Sequence, residues 1–225
     1  MKAKIKNINQ VHGELVDQIL SRTAPAERVW PAWIQWLAWL GLSLACMAVL
    51  LLKMGVLNNW GLLYRQMPPV AFLGTALLGS ALAAWEAITS SLPGRQTGGR
   101  FRIFSFLVLL ALLLIPFLFF VRGAEGLDLM AACRNGWGCI QAASLAGLLP
   151  WVFLGFILSK NASFHPGWTG AWSGLSAFLL GAVTIQIHCP DWEMGHMVFA
   201  HLLPVAFFAF LTTFAGAFWF SRWKR

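Results

Sequence analysis

Six apolar runs, each close to twenty residues, take up most of this chain: Pro31–Leu52, Pro68–Ile88, Ile103–Val121, Ile140–Leu158, Trp168–Ile187 and His196–Phe220. About twenty largely apolar residues cross a bilayer as a helix, because a rise of about 1.5 Å per residue matches a hydrocarbon core ~30 Å thick. Backbone N–H and C=O groups find no water at that depth, so each run is expected to close its own hydrogen bonds as an α-helix. With 59% of the 225 residues hydrophobic, what remains is an N-terminal segment of about thirty residues and short connections. The expected fold is all-α: a polytopic membrane protein with six transmembrane helices, residues 1–30 forming a separate segment and residues 31–225 the bundle.

Lysine and arginine placement orients the bundle, since basic residues near span ends stay on the cytoplasmic side. Lys2, Lys4, Lys6, Arg22, Arg28, Arg95, Arg100, Arg102, Lys160, Arg222, Lys224 and Arg225 fall on one side, and Lys53, Arg65, Arg122 and Arg134 on the other. This asymmetry predicts that both termini are cytoplasmic. It also accounts for most of the +8 net charge, which leaves no basic domain to bind nucleic acid directly.

The N-terminal segment has a pattern of its own. Ile5, Ile8, Val11, Leu15, Val16, Ile19 and Leu20 share one side of a helix, and Lys6, Gln10, Glu14, Asp17 and Ser21 share the other. Such a cytoplasmic amphipathic helix, ending before Pro25, suits the membrane surface or a groove in a partner protein; Glu14 and Asp17 favour the protein. No cleavable signal is expected, because polar residues precede the first span, and Cys46 reads as a thiol buried within that span.

Inside the bundle, Thr75, Gly79 and Ala83, and then Gly170 and Gly174, recur at helical spacing and predict close helix contacts. Pro116, Pro150 and Pro204 interrupt three spans. Ionisable groups within the spans are few, Glu86 near a cytoplasmic end and His201, which argues against an ion or proton relay. A small-molecule or metal transporter would explain six spans but not the amphipathic head.

The densest polar stretch is "QIHCPDWEMGHMVFAH", residues 186 to 201. Its outer loop and the preceding outer loop, "CRNGWGC", together bring Cys133, Cys139 and Cys189 to one face, where an oxidising compartment permits a disulfide. Three thiols leave one over, and the pairing stays open. A metal site is the other reading: thiolate and imidazole suit soft or borderline cations, and His188, Asp191, His196 and His201 supply further donors. Each histidine by itself reads as a polar anchor at the membrane boundary, like Trp192. His196 and His201, five positions apart, are ~140° apart on an α-helical wheel and are not expected to share a face. A membrane thiol oxidoreductase would use the same cysteines, but the five residues between Cys133 and Cys139 fit a redox pair poorly.

The segments "ELVDQIL", "RVWPAW", "MPPVAFLGTALLGSALAAWEAITSSLPGR", "GCIQAASLAGLLP" and "IHCPDWEMGHMVFAH", in this order and spacing, resemble the NrsF family of bacterial inner-membrane anti-sigma factors. The resemblance covers nearly the full length. It implies a six-span, non-enzymatic regulator without a cofactor that holds an extracytoplasmic-function (ECF) sigma factor inactive at the membrane and releases it on a heavy-metal or redox signal from outside. The implied partners are that sigma factor, contacted by Ile8, Leu15, Val16, Ile19 and Leu20 of the head, and membrane lipid. The implied sensing cysteines are Cys139 and Cys189, with Cys133 additional to the usual pattern.

Overall fold

The computed structural model describes residues 29–55, 67–92, 103, 107, 129–161, 163, 165–191 and 194–221. The amphipathic head and the third apolar run, apart from Ile103 and Leu107, lie outside these residues. The chain divides after Trp30, and the helices below belong to the second unit, Pro31–Arg225.

The regular elements among its described residues are all helical: α1 (Ala32–Met54), α2 (Met67–Ser91), α3 (Leu129–Ser159), α4 (Pro166–His188) and α5 (Leu203–Ser221), with Met194–His196 and a π-helical segment, Met197–Leu202, leading into α5. Five stretches are long and apolar enough to cross a membrane, Ala32–Met54, Phe72–Ser91, Gly136–Ser159, Pro166–His188 and Met197–Phe220. They correspond to five of the six runs in the sequence. One boundary differs. Helix α3 starts at Leu129, well before Ile140, so "CRNGWGC" is a helical extension and not a loop. Arg134, Asn135 and two glycines suggest a loop there, but the good helix formers Leu129, Met130, Ala131 and Ala132 initiate the helix upstream of them. At 31 residues, α3 is longer than a bilayer crossing requires.

Helix α4 is the centre of the bundle: 83% of its apolar window is buried, against 11% for α1. Helices α2, α3 and α5 pack around it. Lipid tails are as apolar as leucine side chains, so helix association in a bilayer depends on close backbone approach and interhelical hydrogen bonds. Both are present. A Cβ on Gly170 would fall on the Thr212 carbonyl oxygen, and one on Gly216 would come within 2.6 Å of the Gly170 Cα, so α4 and α5 meet backbone to backbone. A Cβ on Gly174 would fall on the Thr212 hydroxyl. Further along α4, Gly181 lies against the Ala143 carbonyl of α3. The small-residue spacing of Gly170 and Gly174 is therefore a packing surface, as expected.

Serines join α2 to α4 by a reciprocal pair: Ser80 Oγ donates to the Ser176 carbonyl and Ser176 Oγ to the Ser80 carbonyl, each at 2.8 Å. Trp36 donates to the Ala81 carbonyl at 2.8 Å and Trp39 to the Pro150 carbonyl at 3.2 Å, tying α1 to α2 and α3. At the end of the bundle where α1 begins, Asn161 Nδ2 donates to Gln35 Oε1 at 2.9 Å and to Ser91 Oγ at 2.7 Å. Thr169 meets Ser90 at 3.1 Å and Ser163 at 2.8 Å. Glu86, 0% exposed, is buried in the same half of α2. The opposite end, where α1 and α4 finish, carries Cys139, Cys189, His188, His196 and His201.

The glycine contacts make a direct prediction. Gly170→Ala should lower the unfolding free energy in detergent by about 1–3 kcal/mol, the usual cost of overpacking a well-filled contact. Gly155→Ala, on α3 with nothing within 4 Å of its Cβ position, should leave stability unchanged or raise it. Equal effects of the two substitutions in a denaturation series would contradict the packing described.

Candidate functional site

The local sequence builds the site from the end of α4, the first half of α3 and the π-helical segment. Helix α4 stops at His188 because Pro190 disfavours the helical conformation in the residue before it. Cys189 is accordingly extended, at φ −72° and ψ 125°, while its N–H still caps the helix through the Ile185 carbonyl at 2.8 Å. The thiol thereby turns back into the bundle, where it is 3% exposed. Cys139 reaches it from α3: the two sulfurs lie 3.7 Å apart and both are free thiols.

The third contributor is the π-helical segment. Pro204 has no N–H to offer a preceding carbonyl, and its ring would clash with the carbonyl four residues back in a regular helix. Widening the preceding turn relieves that clash, and residues Met197–Leu202 are π-helical. In a turn bonded i to i+5, residues five apart stack on one face. His196 and His201 are therefore neighbours, with ring centroids 5.3 Å apart. The α-helical wheel, which sets them on different faces, does not apply to this turn.

The four residues converge. One ligand atom each from Cys139, Cys189, His196 and His201 lies within 4.8 Å of the other three. His196 Nε2 is 3.3 Å from the Cys189 sulfur, and its Nδ1 is 3.3 Å from a carboxylate oxygen of Asp191, close enough for an ion pair but not aligned as a hydrogen bond. His201 is 0% exposed, and its ring nitrogens make no well-aligned hydrogen bond, only a poorly aligned polar contact with the Ala182 backbone. Burial pushes the Cys189 thiol up from its ordinary value of 9.0 to about 12, and the adjacent Cys139 thiol and Asp191 carboxylate add to this; a backbone hydrogen bond at Asp191 works the other way. Cys189 is therefore a neutral thiol at physiological pH, a poor nucleophile until something removes its proton.

The candidates named from sequence are thus sorted by position. Cys139, Cys189, His196 and His201 form one set, and Asp191 stands on its rim. His188 faces elsewhere: its Nδ1 is 2.9 Å from the Gly55 carbonyl, joining the end of α4 to the end of α1. Cys46 is half-buried within α1, away from the set. Cys133 belongs to the helical extension of α3, and its side chain lies outside the described residues, as do Ile8, Leu15, Val16, Ile19 and Leu20 of the head. One contributor went unnoticed in the sequence. Gly136 lets α3 approach the π-helical segment, since a Cβ there would come within 2.9 Å of Ala200 and 3.6 Å of the His196 ring. Its position one turn before Cys139 is the only sequence signal for that role.

A family model described as NrsF, negative regulator of sigma F, matches residues 20–223. No curated protein and no solved structure matches the chain.

The burial of the site predicts how its thiols react. In a Cys46→Ser, Cys133→Ser background, iodoacetamide should modify half-buried Cys139 before Cys189. The rate at Cys189 should still climb about tenfold per pH unit at pH 10, because only the thiolate reacts and its proton is held to about pH 12. Mass spectrometry of the two peptides distinguishes them, and a rate at Cys189 that levels off near pH 9 would contradict the described environment.

Proposed function

Because the chain belongs to the NrsF family, the negative regulators of sigma F, we propose that it is an anti-sigma factor of the bacterial inner membrane that holds an ECF sigma factor inactive and releases it on a signal received at the cysteine end of the bundle. The family match carries this reading, since it extends over the spans as well as the chain leading into them. In the proposed topology six helices cross the membrane, residues 103–121 supplying the sixth, and both termini are cytoplasmic. The uneven distribution of basic residues supports that orientation. It puts Cys139 and Cys189 at the periplasmic end, where a stress signal of metal or redox character would arrive first.

The output is assigned to residues 1 to about 28, whose apolar stripe suits a groove on the sigma factor. The input joins α3 to the end of α4 through the thiols of Cys139 and Cys189, with His196 of the segment leading into α5 against Cys189. Ligation or oxidation of that pair changes how tightly α3, α4 and α5 are held together at one end, and release follows when the two arrangements differ in affinity for sigma.

Two experiments test this reading. Leu15→Asp or Ile19→Asp would put an unpaired charge into the head's contact surface, which should weaken sigma binding by at least about tenfold and raise sigma-dependent transcription without stress. Full repression by both variants, stably inserted, would exclude the head as the contact. Reporter fusions at Gly98 and Gly126 should report opposite sides of the membrane, and same-side signals would reject six spans.

A further inference from the structure

We propose that Cys139, Cys189, His196 and His201 form a closed, four-coordinate site for a divalent, thiolate-preferring cation of the zinc type, with Asp191 orienting His196 from outside. This deepens the assignment of the cysteine end as the input and rests on that reading only for its regulatory consequence.

The distances fit such a site before any ion is considered. A tetrahedral centre with metal–sulfur bonds of about 2.3 Å and metal–nitrogen bonds of about 2.0–2.1 Å puts its two sulfurs about 3.8 Å apart, and sulfur and nitrogen about 3.6 Å apart. The Cys139 and Cys189 sulfurs are 3.7 Å apart, and Cys189 Sγ is 3.3 Å from His196 Nε2. All four donor atoms lie within 4.8 Å of one another, so small shifts complete the shell.

His201 is an independent pointer. A fully buried imidazole with no well-aligned hydrogen bond at either nitrogen, only a polar contact with the Ala182 backbone, is costly, and native proteins almost always satisfy such groups. A cation at the centre of the set satisfies one nitrogen directly. The arrangement around His196 points the same way: one ring nitrogen faces the sulfurs and the other faces the Asp191 carboxylate, the carboxylate–histidine pairing common behind metal-bound imidazoles.

Charge selects the class of cation. Binding requires both thiols to lose their protons to solvent, giving two thiolates and two neutral imidazoles. A dication then leaves the four-ligand centre with zero net charge, which suits a buried position at the end of a membrane bundle. A hard cation such as magnesium or calcium seeks oxygen ligands and finds none in this set. No water position remains once four protein donors bind, so the site is of the structural and not the catalytic kind.

The test uses the purified full-length chain in detergent, thiols reduced, titrated with Co(II) alone as a spectroscopic probe. One equivalent should bind with the intense ligand-field bands of tetrahedral cobalt and a thiolate-to-cobalt charge-transfer band, and Zn(II) should displace it. His201→Gln, close in size and polarity, should lose the tetrahedral spectrum and at least tenfold in affinity. Asp191→Asn should keep the spectrum and bind about 10–100-fold more weakly, as expected for a partner behind a ligand. Wild-type protein without the tetrahedral thiolate spectrum would overturn the proposal, and so would His201→Gln retaining both spectrum and affinity. A chain that binds Co(II) in this way yet fails to repress sigma-dependent transcription would sink the anti-sigma reading and leave the site standing.

Discussion

Backbone contact around α4 is the constraint on which the described bundle depends. In water, apolar helices would associate simply by leaving the solvent, but among lipid tails that force is absent and association needs closer packing than lipid can offer. Gly170, Gly174 and Gly216 provide it between α4 and α5, and Gly181 between α4 and α3, each where a Cβ would meet a neighbour's backbone or side chain. The reciprocal Ser80 and Ser176 bonds add a polar contact that hydrocarbon cannot replace. Because α3 and α5 are both fixed to α4, their ends near Cys189 are brought to one place, and the cluster there follows from the packing beneath it.

That cluster also depends on a local departure from regular geometry. An α-helix through residues 196–201 would turn His196 and His201 to different faces, and only one of them would meet the thiols. Pro204 removes that option by disfavouring a regular turn before it, and the π-helical segment that results aligns the two rings. A residue usually regarded as a helix breaker thus determines which side chains meet three residues earlier. Gly136 then keeps α3 close enough for Cys139 to take part.

The fold was legible in the sequence to the extent that it rests on length and hydropathy. Five of the apolar runs correspond to spans with ends shifted by a few residues, apart from the start of α3, because apolar length is what a bilayer selects. The small-residue spacing of Gly170 and Gly174 was legible for a similar reason, since close approach admits few residue types. The site was legible as a list and not as a set. Cys139, Cys189, His196 and His201 all stand out in an apolar chain, but their convergence depends on a π turn that α-helical periodicity excludes and on a contact between α3 and the π-helical segment that no local pattern encodes. His188 stands out equally in sequence and binds the Gly55 carbonyl instead, a partner more than a hundred residues away. Glu86 looked like a boundary residue and is fully buried, because the polar groups around Gln35, Ser91 and Asn161 extend the packed interior to that end of the bundle.

The two ends of the bundle are linked through the same helices. Cys139 lies within α3 and Asn161 just past its end, while Thr169 lies in the first turn of α4 and Cys189 just past its end, so a change in how the thiols hold these helices at one end has a rigid route to the polar network at the other. A rigid route transmits a signal only between arrangements of comparable free energy, and a ligand shifts their balance only by the difference in its affinity for the two. If a cation bound by the four donors drives sigma release, linkage requires the reverse as well: bound sigma must weaken the cation site by the same factor by which the cation weakens sigma binding. A tenfold effect in one direction is about 1.4 kcal/mol of coupling, an amount that the loss of one interhelical hydrogen bond or a slight loosening of the α4–α5 contact can match. The packing that builds the site and the coupling that would make it a sensor therefore draw on the same small energies, and substitutions at Gly170 or Ser176 should alter the response as well as the stability.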